Sequence, residues 1–90
     1  MSKHTPGPWV LSSLVVRAAG NGYEVAHVHC NFKIRGKEGR DEYEYAQGNA
    51  HLIAAAPDML FALKAVECGA PFDVVIHQVR AAIAKAEGRK

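Results

Sequence analysis

The run Asn49–Leu60 constrains this chain most, because a helix-forming stretch is interrupted there by a proline and followed at once by a second helical pattern. Pro57 has no N–H to donate to the carbonyl of Ile53, and its ring would clash with that carbonyl. Either one helix ends here and Pro57 opens the next, or a single long helix kinks. Asp58 favours the first alternative, since a carboxylate suits a helix N-terminus.

The helix before Pro57 is predicted to run from about Glu42 to Ala55. Asp41 is expected to cap it, because Asp41 and Glu44 together resemble a capping box. Its apolar stripe comprises Tyr45, Leu52, Ile53 and Ala56, together with alanines at positions 46, 50, 54 and 55. Gly48 either weakens this helix by up to about 1 kcal/mol or lets another backbone approach closely.

Two further apolar stripes recur at helical spacing after the proline. The first ends near Gly69 and comprises Met59, Leu60, Leu63 and Val66. The second belongs to a helix that starts at Pro71 or Asp73 and ends at Gly88; it comprises Phe72, Val75, Ile76, Val79, Ile83 and Ala86 and is expected to face the core. The first stripe could also serve a symmetric homodimer.

The N-terminal part predicts an antiparallel sheet. Residues 1–8 carry two prolines around a glycine and are expected to form an extended arm that delivers Trp9 to the core or to a ligand. Strand formers follow from residue 9 to 18, either as one bulged strand or as two short strands joined by a turn. Gly20-Asn21-Gly22 predicts a hairpin turn.

Residues 23–30 alternate in the manner of a strand, which residues 32 and 34 could extend. One face carries Ala26, Val28 and Cys30, and the other carries Tyr23, Val25, His27 and His29. The second face is half-apolar and is predicted to remain open.

Strands first and helices afterwards predict an α+β fold. A short antiparallel meander of two or three strands would be covered on one face by two or three helices. We expect a single domain over residues 1–90, divided into the arm (1–8), the sheet (9–34), a basic loop (35–40) and the helices (41–87).

Few residues suggest reaction chemistry. His27 and His29 lie about 6.6 Å apart along one strand, a spacing that holds a metal only when further ligands arrive from elsewhere. Cys30 and Cys68 lie in apolar stretches, where thiols are inert. Helix capping accounts for the carboxylates at positions 41–44. We therefore predict no enzyme, no catalytic residue, no metal site and no cofactor.

The side chains best suited to binding a partner are Arg35, Lys37 and Arg40 of the basic loop, with Tyr23, His27 and His29 of the sheet face. Three cations within six residues suit an acidic protein surface. Cations beside aromatic rings equally suit a nucleotide or a nucleic-acid strand.

Charge and composition favour the cytoplasm. The net charge of +2 is well below that of a dedicated nucleic-acid binder. Two cysteines without a C-x-x-C motif do not form a disulfide framework. The first residues lack the apolar segment of a signal peptide, and no apolar run approaches the about 20 residues that span a bilayer. We expect a cytoplasmic protein that does not enter the membrane.

Three motifs resemble a family of small bacteriophage and prophage proteins of unassigned function. They are HTPGPW at residues 4–9, NAxLIAAAPDxL at residues 49–60 and AAIAKA at residues 81–86. Residues 18–40 carry no part of the resemblance. It implies a phage origin and no enzyme activity, and it assigns no binding or catalytic residue.

Phage accessory proteins of this size often inhibit host defence by binding one of its components, as anti-CRISPR proteins do. The resemblance thus implies a non-catalytic protein that occludes a host protein or complex in the host cytoplasm. The alternative is a nucleotide or nucleic-acid sponge that uses the Tyr/His sheet face and the basic loop.

Overall fold

The computed structural model describes residues 3–30 and 37–88, and for residues 37–41 the backbone alone. In these residues three strands, β1 (Trp9–Ser12), β2 (Val15–Ala18) and β3 (Glu24–His27), precede three helices, α1 (Lys37–Ala54), α2 (Ala56–Glu67) and α3 (Phe72–Ala86). The predicted α+β class is confirmed.

The strands form one antiparallel sheet in the order β1–β2–β3. Of the two alternatives for residues 9–18, the chain adopts two short strands, and Ser13 turns between them with a φ of 59°. The predicted turn at residues 20–22 joins β2 to β3, with the Gly22 N–H donating to the Ala18 carbonyl over 2.8 Å.

Strand β3 is shorter than predicted and carries a bulge. Ala26 lies opposite Val16, but Glu24 lies opposite Arg17, so Val25 is an extra residue in β3. The bulge breaks the strict alternation that the sequence suggests at the start of this strand. The predicted extension to residues 32 and 34 lies outside the described part of the chain.

Helix α1 covers the sheet by packing on β1 and β2. Its buried side consists of Ala46, Ala50 and Ala54, spaced four residues apart, so that the helix backbone approaches the sheet closely. Ala46 and Ala50 form a core cluster with three residues of the sheet half, namely Leu14, Val28 and Cys30.

Of the predicted apolar stripe of α1, the alanines at positions 46, 50 and 54 are buried, but most of the larger residues are not. Tyr45 is 71% exposed and Leu52 is 52% exposed, whereas Ile53 packs against the core cluster. Tyr45 precedes a buried alanine by one position and is rotated away from it by about 100° along the helix. The small residues, not the large ones, take the inner side.

The predicted start of α1 is also wrong. The helix begins at Lys37, so positions 37–40 of the expected basic loop are helical and Asp41 lies inside the helix rather than at its N-cap. Lysine, glutamate and arginine are good helix formers, and the single Gly39 costs only about 1 kcal/mol. Arg35 lies outside the described residues.

The break at Pro57 follows the first of the two alternatives. Ala55 serves both helices, because its N–H donates to the His51 carbonyl over 3.1 Å and its carbonyl accepts from the Met59 N–H over 2.9 Å. Pro57 is the second residue of α2, where an N–H has no partner within the helix. Two separate helices thus meet at one buried residue.

Helices α2 and α3 form an antiparallel hairpin, and α3 also packs on α1. Gly69 and Gly88 have positive φ and end α2 and α3, as predicted. The prediction that the α3 stripe faces the core is only partly correct. Phe72 is 78% exposed, because it is the first residue of α3 at the end of the hairpin, and Ile83 is also exposed.

Candidate functional site

The side chains predicted to bind a partner are distributed over separate places. His27 and His29 are exposed at the end of β3 and just beyond it, and Tyr23 is exposed at the start of that strand. Lys37 and Arg40 lie in the first two turns of α1. The described residues therefore do not show them as one assembled site.

The N-terminal arm is held at both the sheet and the helices. The Trp9 indole N–H donates to the Thr5 carbonyl over 3.1 Å, and the Ala19 N–H donates to the Pro8 carbonyl over 3.0 Å. Trp9 is half-buried, so it both anchors the arm and contributes a face to the surface. Two open depressions flank the arm.

The first depression, which we call the arm–turn depression, lies between the arm and the turn before β3. Its lining includes Lys3, His4, Trp9, Asn21 and Tyr23. The Tyr23 N–H donates to the Asn21 Oδ1 atom over 2.9 Å, which fixes the backbone from which the exposed ring projects. His27 and His29 are not among its lining residues, so Tyr23 shares this depression with Trp9 and not with the two histidines.

The second depression, the arm–α2 groove, has a volume of about 480 Å³. Its lining is mostly apolar and includes Gly7, Pro8, Pro57, Leu60, Phe61 and Lys64. Gly7 approaches Pro57 so closely that a Cβ atom on residue 7 would lie 2.6 Å from the Pro57 Cβ atom. The arm and the helix break together form the floor of this groove.

The arm–α2 groove has one acidic and one basic side chain in its lining, Asp58 and Lys64. The Asp58 carboxylate forms an ion pair with the Lys85 ammonium, with 2.8 Å between Asp58 Oδ2 and Lys85 Nζ. Lys64 and His4 are both exposed, and both line the groove. The groove therefore combines mostly apolar walls with the ammonium group of Lys64.

Sequence reasoning missed this groove, although it singled out both segments that build it. The HTPGPW arm and the proline of the helix break were treated as separate signals. Contact between segments fifty residues apart has no local signature in either of them. The one local signal is Gly7, because a residue without a Cβ atom lets another group approach the backbone closely.

The two cysteines differ in their surroundings. Both are free thiols; Cys30 is buried in the core cluster, as expected for an inert thiol. Cys68 is exposed at the end of α2, so the expectation of an apolar environment is wrong there. Cys68 is the C-cap residue of α2, and its thiol donates to the Ala65 carbonyl over 3.4 Å.

Among the residues that the structure describes, no group of three or more His, Cys, Asp and Glu side chains is arranged to hold a metal ion. Within the same ranges, no helix is long and apolar enough to cross a membrane.

The family model for Salmonella phage P22 protein Y8K6 matches residues 1–90. The chain belongs to this family. Membership of the Y8K6 family supports the phage origin implied by the sequence motifs. No curated protein and no solved structure matches the chain.

Proposed function

We propose that this Y8K6-family protein is a non-catalytic phage accessory protein that binds and occludes a host protein in the host cytoplasm. The arm–α2 groove supports this proposal best, because it is an open apolar surface at the junction of the arm with the helices. Occlusion requires a stable contact surface and no reacting group. A component of a host defence system is the partner that suits a small phage protein.

The chemistry of the groove defines the segment that it would bind. Phe61 is 62% exposed on the groove wall and offers an aromatic face to an apolar side chain. Lys64 offers positive charge to a carboxylate. The expected ligand is therefore a short segment of a host protein in which an apolar side chain lies next to Asp or Glu.

The basic residues of the sequence remain part of this proposal. Arg35, Lys37 and Arg40 would add to the attraction for an acidic partner. Reversing their charge should weaken partner binding and remove the loss of affinity that added salt causes in the wild type, since salt screens the attraction between opposite charges.

The test begins with affinity purification from the host and identification of the bound protein, followed by calorimetry with the purified partner. Phe61→Asp combined with Lys64→Glu should weaken binding at least tenfold. Tyr45→Asp is the control for the introduced acidic charge, because Tyr45 is similarly exposed but lies on α1 and does not line the groove. Equal affinity of both variants would contradict the assignment of the groove.

A nucleotide is the second candidate ligand, favoured by the arm–turn depression alone. Two aromatic rings, Trp9 and Tyr23, border it together with Lys3, a combination suited to stacking a base and neutralising a phosphate. Trp9 is the only tryptophan of the chain, so its fluorescence reports on this depression directly.

The experiment for this candidate is titration of cyclic and linear nucleotides and of short oligonucleotides while Trp9 fluorescence is recorded. A saturable change that Tyr23→Ala abolishes would support the sponge function. No change across the panel would reject it and leave the protein-binding function in place.

A further inference from the structure

We infer that Asn21 is a site of spontaneous deamidation, at which its side-chain amide is converted into a carboxylate while the protein is folded. The reaction requires water and no enzyme. Asn21 precedes Gly22 in the turn between β2 and β3, whereas the other two asparagines of the chain precede Phe32 and Ala50. This inference depends on neither of the ligands proposed above.

Deamidation begins with attack by the backbone nitrogen of Gly22 on the side-chain carbonyl carbon of Asn21, Cγ. The nitrogen gives its proton to hydroxide, the N–Cγ bond forms, and the Cγ–Nδ2 bond breaks as ammonia leaves with a proton from water. The product is a cyclic imide. Water then opens the imide at either carbonyl, which yields aspartate or isoaspartate without oxidation or reduction. Because both reacting groups belong to one short stretch of chain, the attack is intramolecular.

A hydrogen bond holds the Asn21 side chain in the position that this attack needs. Its Oδ1 atom accepts from the Tyr23 N–H over 2.9 Å. Gly22 lies between donor and acceptor in the chain, so this bond folds the side chain towards the peptide group that contains the Gly22 nitrogen. Oδ1 is also the atom on which negative charge develops when Cγ is attacked, and a hydrogen bond already donated to that atom stabilises the charge.

The residue after Asn21 leaves the attacking nitrogen accessible. Gly22 has no side chain, and a Cβ atom built at this position meets nothing within 4 Å. Asn49 differs, because the residue after it, Ala50, is completely buried inside α1. The Ala50 nitrogen lies in the regular hydrogen-bond ladder of that helix. Attack at Asn49 would therefore require part of α1 to unfold.

One hydrogen bond of the turn opposes the reaction. The Gly22 N–H donates to the Ala18 carbonyl over 2.8 Å, and this bond must open before the nitrogen loses its proton. Gly20, Asn21, Gly22 and Tyr23 are all exposed, so its opening displaces no buried side chain. Local openings of this kind require much less free energy than unfolding of the core. The fold therefore slows the reaction at Asn21 without preventing it.

Deamidation would change the arm–turn depression, because Asn21 lines it together with Lys3 and Tyr23. A neutral amide is replaced there by a carboxylate, which offsets the charge of Lys3. In isoaspartate the main chain also runs through the former side-chain carbonyl, so the acceptor of the Tyr23 N–H is displaced. The deamidated chain is thus a chemically distinct form of the protein with an altered depression.

Peptide mapping by mass spectrometry of the folded full-length protein, incubated in mildly alkaline buffer, tests the inference. Asn21 should convert at least about tenfold faster than Asn49, because only a local opening is needed. The product at position 21 should contain isoaspartate as well as aspartate, since direct hydrolysis of the amide yields aspartate alone. An unchanged Asn21, or a product without isoaspartate, would overturn the inference.

Two comparisons separate the sequence motif from the fold. In guanidinium chloride Asn21 should convert faster than in the folded protein, because the hydrogen bond to Ala18 is lost. Conversion in the denaturant alone would overturn the inference, since the fold would then prevent the reaction. Asn21→Gln is the matched variant: its amide lies one methylene further from the attacking nitrogen, and it should remain unconverted. Conversion of this variant at the wild-type rate would contradict the imide route.

Discussion

Gly7 lies directly against Pro57, and the space between them does not admit even a methyl group. This contact joins the N-terminal arm to the first turn of α2, across fifty positions of sequence. It makes the helix break a docking point for the arm as well as a change in helix direction. The floor of the arm–α2 groove depends on it.

Replacing Gly7 with alanine should therefore destabilise the fold. The added Cβ atom would lie 2.6 Å from the Pro57 Cβ atom, and a proline ring cannot rotate away. We expect a loss of about 1–3 kcal/mol in the free energy of unfolding, measured by urea denaturation. Gly20→Ala is the control, because a Cβ atom there meets nothing within 4 Å; an equal loss in both variants would refute the contact.

Replacing Gly48 with alanine should stabilise the protein. Gly48 lies within α1, and a Cβ atom at this position meets no described atom within 4 Å. Alanine should therefore raise the free energy of unfolding by about 0.5–1 kcal/mol through helix propensity alone. Gly22→Ala, at a φ of +74°, should instead lower it. Destabilisation by Gly48→Ala would mean that another surface lies against this side of α1.

Position 50 should tolerate substitution far less well than position 52. Ala50 is completely buried between α1 and the sheet, so Ala50→Leu should lower the free energy of unfolding by about 1–3 kcal/mol through overpacking. Leu52 is half-exposed, and Leu52→Ala should change it by less than about 0.5 kcal/mol. Thermal and urea denaturation of both variants would compare their free energies of unfolding. A larger loss for Leu52→Ala than for Ala50→Leu would mean that Leu52, and not Ala50, faces the sheet.

The two thiols should react at very different rates. Cys68 is exposed and should react with a thiol reagent within the mixing time of the experiment, whereas Cys30 should react only when the core opens. In Cys68→Ser the fast phase should disappear and the slow phase should remain. Urea should then accelerate the slow phase; a fast phase in Cys68→Ser would show that the core around Cys30 is accessible.

The sequence predicts the elements of this fold more reliably than their packing. The turn at residues 20–22 and the helix break at Pro57 follow from backbone sterics, which act locally and leave a clear signature. The start of α1 is missed because the charged residues before Asp41 are themselves helix formers, and a single glycine does not stop them. The arm–α2 groove and the arm–turn depression emerge only from the structure, because each is built from segments that are distant in the chain.

Helix periodicity also identifies an apolar stripe on α2 but does not determine whether another element buries it. Leu63 and Val66 have the spacing of core residues, yet the structure leaves them exposed. Periodicity reports that one side of a helix is apolar; burial depends on which other element reaches that side.

The sequence by itself determines the phage family, the order of strands and helices, and the place where the helical half is broken. Only the tertiary structure decides that alanines rather than large side chains of α1 face the sheet, and that the arm meets the helix break at Gly7. The physical reason is the range of the interactions. Backbone conformation is limited by neighbouring residues, whereas burial and contact depend on segments that are distant in the chain.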